Sequence, residues 1–165
     1  MKKRWICLFV ENEIGVLAKI SGLFSGKSYN LNSLTVGTTE DQTISRITLS
    51  LTSDDKTFEQ VKKQLNRSVE VIKVVDYTDT PIHIKELMFV KITNCTERDV
   101  SEIFRIAQVF HVTVIDYDRN TVLIESVQEE RRNDDLIALL EQSNPNRIEI
   151  VRGGSVAIET ISKMV

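Results

Sequence analysis

The residues best placed to do chemistry are Glu11-Asn12-Glu13-Ile14-Gly15-Val16-Leu17, where an apolar run ends and a helical pattern begins. A helix start presents unpaired backbone N–H groups and the positive end of the helix dipole, so it can hold a carboxylate without a basic side chain. Gly15 would let a ligand approach the backbone closely. Asn12 has two readings: it could cap the helix, or offer both a donor and an acceptor to a small zwitterion. Asn30 and Asn32, in Tyr29-Asn30-Leu31-Asn32-Ser33, carry a similar ambiguity as turn residues at a strand start.

Other chemistries find little to work with. A nucleophile–base–acid triad needs a positioned base, and the two histidines, His83 and His111, fall in a linker and at a helix–strand junction, where they read as surface residues. No glycine-rich phosphate loop of the Walker or dinucleotide type occurs. Cys7 and Cys95 lie far apart in apolar stretches, with no partners at metal-ligand spacing, and read as buried core residues. The 21 basic and 24 acidic residues, net −3, disfavour binding of nucleic acid through bulk charge. The charged start Met1-Lys2-Lys3-Arg4 precedes an apolar run too short for a signal peptide, and no stretch is long enough for a membrane helix, so a cytoplasmic location is expected.

The elements that must position Asn12 and Gly15 follow from hydrophobic spacing. With 165 residues, 41% hydrophobic and 27% charged, the chain can form one ordinary domain or two small ones. Trp5–Val10 reads as a buried strand, and Val16, Leu17, Ile20, Leu23 and Phe24 as one helical face that stops near Gly26. Tyr29–Gly37 and Ile44–Leu51 form a hairpin around Thr38–Thr43. A second helix carries Phe58, Val61 and Leu65, with Ser53, Asp54 and Asp55 as cap candidates, and Val69–Tyr77 is a strand. This β-α-β-β-α-β order is the ferredoxin-like unit. Its two central strands, Trp5–Val10 and Ile44–Leu51, lack the aromatic platform of an RNA-recognition sheet, since the second has no aromatic residue.

After a linker at Thr78–His83, which holds Pro81, the order repeats. Glu86–Thr93 is a strand, and Val100 to Phe110 supply a helical face. Val112–Tyr117 and Val122–Val127 form a hairpin around Asp118-Arg119-Asn120. A helix with Leu136, Ile137 and Leu140 follows, then a last strand at Ile148–Val151 before Gly153-Gly154 and a short tail. The expectation is an α+β protein of two ferredoxin-like βαββαβ domains, residues 1–78 and 79–165. Four of six glycines precede residue 38, so unusual backbone geometry is expected mainly in the first domain.

Glu11 to Leu17, Ser21-Gly22-Leu23-Phe24-Ser25, Tyr29 to Val36, Thr39-Glu40-Asp41 and Ser45-Arg46 closely resemble the small regulatory subunit of acetolactate synthase, or acetohydroxyacid synthase. Lys73-Val74-Val75-Asp76, Lys85 to Lys91 and Gly154-Ser155-Val156-Ala157 extend the resemblance over essentially the whole chain. The resemblance implies an N-terminal ACT domain that dimerises and binds an amino acid, followed by the family's C-terminal domain. It implies no catalytic residues and no metal or cofactor in this chain; thiamine diphosphate, FAD and magnesium would belong to the catalytic large subunit. The chain would activate that partner and confer feedback inhibition by valine, or another branched-chain amino acid, in branched-chain amino acid biosynthesis.

The same resemblance places the effector between the strand–helix loop of one ACT domain and the second strand of its dimer partner. Asn12 and Asn30 would then hold the polar groups of valine, and the backbone at Gly15, Val16 and Leu17 its carboxylate. The second domain has no Gly or Asn pair of this kind at Asn94–Asp99, so one type of effector site is expected. Ile14 stands where the family usually has Pro or Ser, and Ser28 where it has Gly. The alternatives are a free-standing ACT-type amino-acid sensor and an acylphosphatase-like enzyme. The enzyme would need an arginine in the first loop, where this chain has acids.

Overall fold

The computed structural model describes residues 1–25 and 29–161. The chain divides into two compact units: Met1–His83 together with the segment from Ser155, and Ile84–Gly154. The first unit contains β1 (Lys2–Glu11), α1 (Val16–Ser25), β2 (Leu31–Thr38), β3 (Ile44–Ser53), α2 (Asp55–Leu65) and β4 (Val71–Asp76). Its antiparallel sheet has the order β2-β3-β1-β4, with the two expected strands in the centre.

The β1–β3 pairing runs unbroken from Lys2↔Ser53 to Glu11↔Ile44. Because strand side chains alternate, this register sends Ile6, Leu8 and Val10 to the same face as Ile47, Leu49 and Leu51. That face packs against Val16, Ile20 and Phe24 of α1 and Phe58, Val61 and Leu65 of α2, spaced three and four apart on their helices. Each such side chain, fully buried, contributes about 1.5–3 kcal/mol. Asp54, alone of the three cap candidates, caps α2 by accepting the Thr57 N–H at 2.7 Å.

The centre of the opposite face of this sheet is also buried. Cys7, Thr48 and Ser50 point away from the helices and yet are buried. Above them runs the segment from Ser155: the Thr35 hydroxyl donates to the Ser155 carbonyl at 2.9 Å, and Arg46 Nη2 donates to the Ala157 carbonyl at 2.6 Å. Arg46 Nη2 also meets the Tyr77 hydroxyl at 3.0 Å. Cys7 is therefore buried as expected, but in this outer layer, and burial pushes its thiol pKa up against the lowering influence of Arg46 and Tyr77.

The second unit is built from β5 (Ile82–Ile92), α3 (Glu97–Phe110), β6 (Thr113–Tyr117), β7 (Val122–Gln128), α4 (Glu130–Ser143) and β8 (Ile148–Glu159), in the sheet order β6-β7-β5-β8. Met88, Val90, Ile92 and Ile124 pack on Ile103 of α3 and Leu136 of α4. Cys95 is buried beside them. Beside this core lies a polar network in which Glu86, Ser126 and Asn133 are buried and Arg152 reaches the surface. Arg152 holds Glu86 through Nε at 3.0 Å and Nη2 at 2.7 Å; Asn133 donates to Glu86 Oε2 at 2.9 Å, and Ser126 donates to Asn133 Oδ1 at 2.7 Å. The Glu86 and Asp134 carboxylates keep Arg152 firmly charged.

Several boundaries differ from expectation. Val69 is exposed and β4 starts at Val71; β5 starts at Ile82, immediately after Pro81, and shortens the expected linker. β8 does not end at Val151 but runs through both glycines to Glu159, with Gly154 at φ 78°. Positive φ among the described residues falls mostly beyond residue 84, at Asn94, His111, Asn146 and Gly154, with Gly15 the exception. Glycine count misled because Asn tolerates the left-handed region, and His111 occupies it as the C-cap of α3. The expected stop at Gly26 and the turn at Ser28 lie outside the described residues.

The packing makes a direct prediction. Leu49→Ala, at a fully buried position, should lower unfolding stability in urea by about 2–5 kcal/mol. Ile14→Ala, at an exposed position, should change it by less than about 0.5 kcal/mol.

Candidate functional site

β1 ends where its pairing with β3 ends, and the chain turns at Asn12 toward α1. The Asn12 N–H donates to the Thr43 carbonyl at 2.8 Å. Its side chain is clasped on both atoms: Nδ2 donates to the Gln42 carbonyl at 2.8 Å, and Oδ1 accepts the Ser45 hydroxyl at 3.0 Å. Asn12 thus ties the β1–α1 loop to the β2–β3 turn and β3, and the helix-capping reading is replaced by this clasp. An Asn amide has two donors and two acceptor positions, so one of each is left over. Ser45, Gln42 and Thr43 are the partners that spacing alone missed; Ser45 stood within a recognisable motif, whereas nothing local marks the other two.

Gly15 opens the helix at φ 89°, a conformation a side chain strains, with no atom within 4 Å of where a Cβ would sit. The glycine serves the backbone turn, and the space above it is open. The Val16 N–H reaches the Glu13 carbonyl at 3.3 Å, and the Gly15 carbonyl accepts from Lys19. Val16 is buried in the core; Leu17 is partly exposed and Ile14 fully so. Lys19 pairs with Glu70 at the foot of the loop, which raises the lysine pKa and lowers that of the carboxylate.

Asn30 does not join this cluster. It is exposed and immediately precedes β2, whose first residue pairs with Leu51, whereas the Asn12 clasp adjoins Ser45 opposite Thr38 at the strand's other end. The eight residues of β2 separate these ends by roughly 23 Å at about 3.3 Å per residue. Within one chain, Asn12, Gly15, Val16 and Leu17 come together and Asn30 stands apart. Asn32, its neighbour, accepts the Thr52 hydroxyl at 3.0 Å and stays a strand-pairing residue. Among the described residues no group of His, Cys, Asp and Glu could hold a metal ion, and no helix is long and apolar enough to cross a membrane.

Comparison with known proteins decides the family. Residues 6–73 match the model of the AHAS small subunit-like ACT domain, and residues 85–161 match that of the small subunit of acetolactate synthase. The chain belongs to the acetolactate synthase small-subunit family. It is 39% identical over 159 residues to the acetolactate synthase small subunit of Aquifex aeolicus, covering 96% of this chain and 81% of that one. It is 36% identical over 156 residues to the Bacillus subtilis small subunit, covering 94% and 89%. The crystal structure of the small subunit from Thermotoga maritima superposes with a TM-score of 0.87 at 30% identity, covering 99% of this chain and 100% of that one.

In this small-subunit family member the ACT match ends at residue 73, and the C-terminal match includes the segment from Ser155 that packs with the first unit. The turn that supplies Gln42 and Thr43 to the clasp is held by Asp41, whose Oδ1 accepts the Thr43 N–H at 2.9 Å and hydroxyl at 2.6 Å. These bonds, the hydroxyl's foremost, lower the Asp41 pKa below its ordinary 3.8. A lowered carboxylate pKa contributes stability that is present above the unfolded value and lost as pH falls through the folded one. The turn should therefore loosen only below about pH 4. In an NMR titration, Thr43→Val should bring the Asp41 pKa back up toward its ordinary value.

Proposed function

We propose that this chain is the noncatalytic regulatory subunit of an acetolactate synthase, activating the catalytic large subunit and conferring feedback inhibition by valine or another branched-chain amino acid. Residues 1–78 act as the dimerising, effector-binding ACT domain and residues 79–165 as the C-terminal domain. Thiamine diphosphate, FAD and magnesium reside on the partner chain. A free-standing sensor would bind the amino acid without changing any partner's rate.

The observation that carries this reading is the spare donor and acceptor of the clasped Asn12, beside the open left-handed start of α1 at Gly15. The effector carboxylate lies over the backbone amides of Gly15, Val16 and Leu17, where the helix dipole favours negative charge. Asn12 takes the remaining polar contacts. Asn30 enters from a second copy: a two-fold dimer repeats each contact, so a residue too far away in its own chain reaches the site of the other. The resulting site needs no basic side chain, in keeping with the net charge of −3.

Valine should bind the purified dimer in calorimetry, and Asn12→Ala and Asn30→Ala should each abolish or strongly weaken it. Mixing the two variants one to one, with random subunit exchange, should restore about a quarter of the wild-type sites, because each mixed dimer keeps one intact site. Undiminished binding by both variants would sink the assignment. With the catalytic subunit added, acetolactate production should rise and become sensitive to valine; an unchanged rate would favour the free-standing sensor.

A further inference from the structure

We propose that Ser45 is a positioning residue for the effector: together with the Gln42 carbonyl it fixes the Asn12 amide in one orientation before any ligand arrives. The proposal rests on the effector reading above and adds to it the residue that prepares the site.

The two partners of the Asn12 side chain differ in kind. The Gln42 carbonyl can only accept a hydrogen bond, so the atom that faces it at 2.8 Å must be Nδ2. Turned over, the amide would set Oδ1 against that carbonyl, two acceptors with no proton between them. Ser45 adapts to this choice, because a hydroxyl can donate or accept, and with Oδ1 before it at 3.0 Å it donates. The carbonyl selects the orientation and the hydroxyl holds it.

Both partners are themselves held by backbone pairing. Ser45 is buried in β3, opposite Val10 of β1 on one side and Thr38 of β2 on the other. Gln42 lies in the β2–β3 turn between Asp41, whose N–H reaches Thr39 Oγ1 at 3.1 Å, and Thr43, whose carbonyl accepts the Asn12 N–H at 2.8 Å.

Asn12 is exposed, and without these bonds its side chain would sample several rotamers and lose that freedom on binding. Ordering it in advance spares the ligand that cost. The fixed amide also assigns its free positions: the second N–H on Nδ2 is left for the effector carboxylate, and the second lone pair on Oδ1 for its ammonium group. A hydrogen bond accepted by Oδ1 polarises the amide, so the Ser45 hydroxyl strengthens the N–H offered to the carboxylate.

The test is calorimetry on the full-length dimer, titrated with valine, leucine and isoleucine in turn. Ser45→Ala should weaken binding about three- to tenfold, whereas Ser45→Thr, which keeps the hydroxyl, should bind nearly as tightly as the wild type. NMR supplies a readout that a merely structural role would not move. The effector should shift one Asn12 side-chain amide proton and leave in place the one bonded to Gln42, and Ser45→Ala should shift the pair before any ligand is added.

Wild-type affinity in Ser45→Ala would overturn the positioning role and leave the effector site standing. Equal weakening by Ser45→Ala and Ser45→Thr would also overturn it, since packing rather than the hydroxyl would then be responsible. So would an Asn12 amide pair that Ser45→Ala does not move. If the wild type bound none of the three amino acids, the effector reading would fall and the proposal with it.

Discussion

The ten-residue antiparallel pairing of β1 with β3 governs the first unit. A slip of one residue would turn Ile6, Leu8 and Val10 outward and bring Cys7 and Phe9 onto the helices, so one register decides both faces at once. The same register ends at Glu11↔Ile44, which delivers Asn12 beside Ser45 and the hairpin turn. Core, outer layer and clasp are three results of one alignment, and each holds it in place: the core by apolar burial, the clasp by two side-chain bonds at the strand's end.

The two units reach similar architecture by different internal chemistry. The first covers the centre of its sheet's outer face with hydroxyls, a thiol and the end of β8. The second leaves the cross-strand pair Leu87 and Val127 partly exposed on its outer face, and invests instead in the network of buried Glu86, Asn133 and Ser126 with the surface residue Arg152. Removing Arg152 would leave the buried Glu86 carboxylate without its charge partner, a costly loss for a group at 4% exposure. Arg152 lies two residues before Gly154, which takes φ 78° within β8.

Much of this was legible in the sequence because it rests on periodicity. Ile47, Leu49 and Leu51 alternate as a half-buried strand must, and Phe58, Val61 and Leu65 recur as a buried helix face must, so element order and both sheets followed. Motif residues led to the family and to Gly15. What could not be read were long-range partners. The fate of the Asn12 side chain depends on Gln42 and Ser45, thirty or more residues away, which local spacing does not mark. Likewise, Gly153-Gly154 looked like the end of a strand, because only the fold reveals that β8 continues past them over Thr35 and Arg46.

The way the segment from Ser155 closes the first unit also bears on how the two halves can be inherited or separated. The polypeptide leaves the first unit once and returns to it, so the first unit is assembled from two separate stretches of sequence while the second is one continuous block. Cutting at the linker would yield an N-terminal fragment with every helix and strand of its ferredoxin-like unit, yet with Thr48, Ser50 and Cys7 laid bare on one side. A gene fusion or duplication that moved the ACT half alone would have to carry a substitute cover with it. The first unit is thus completed by residues that lie, in sequence, on the far side of the second.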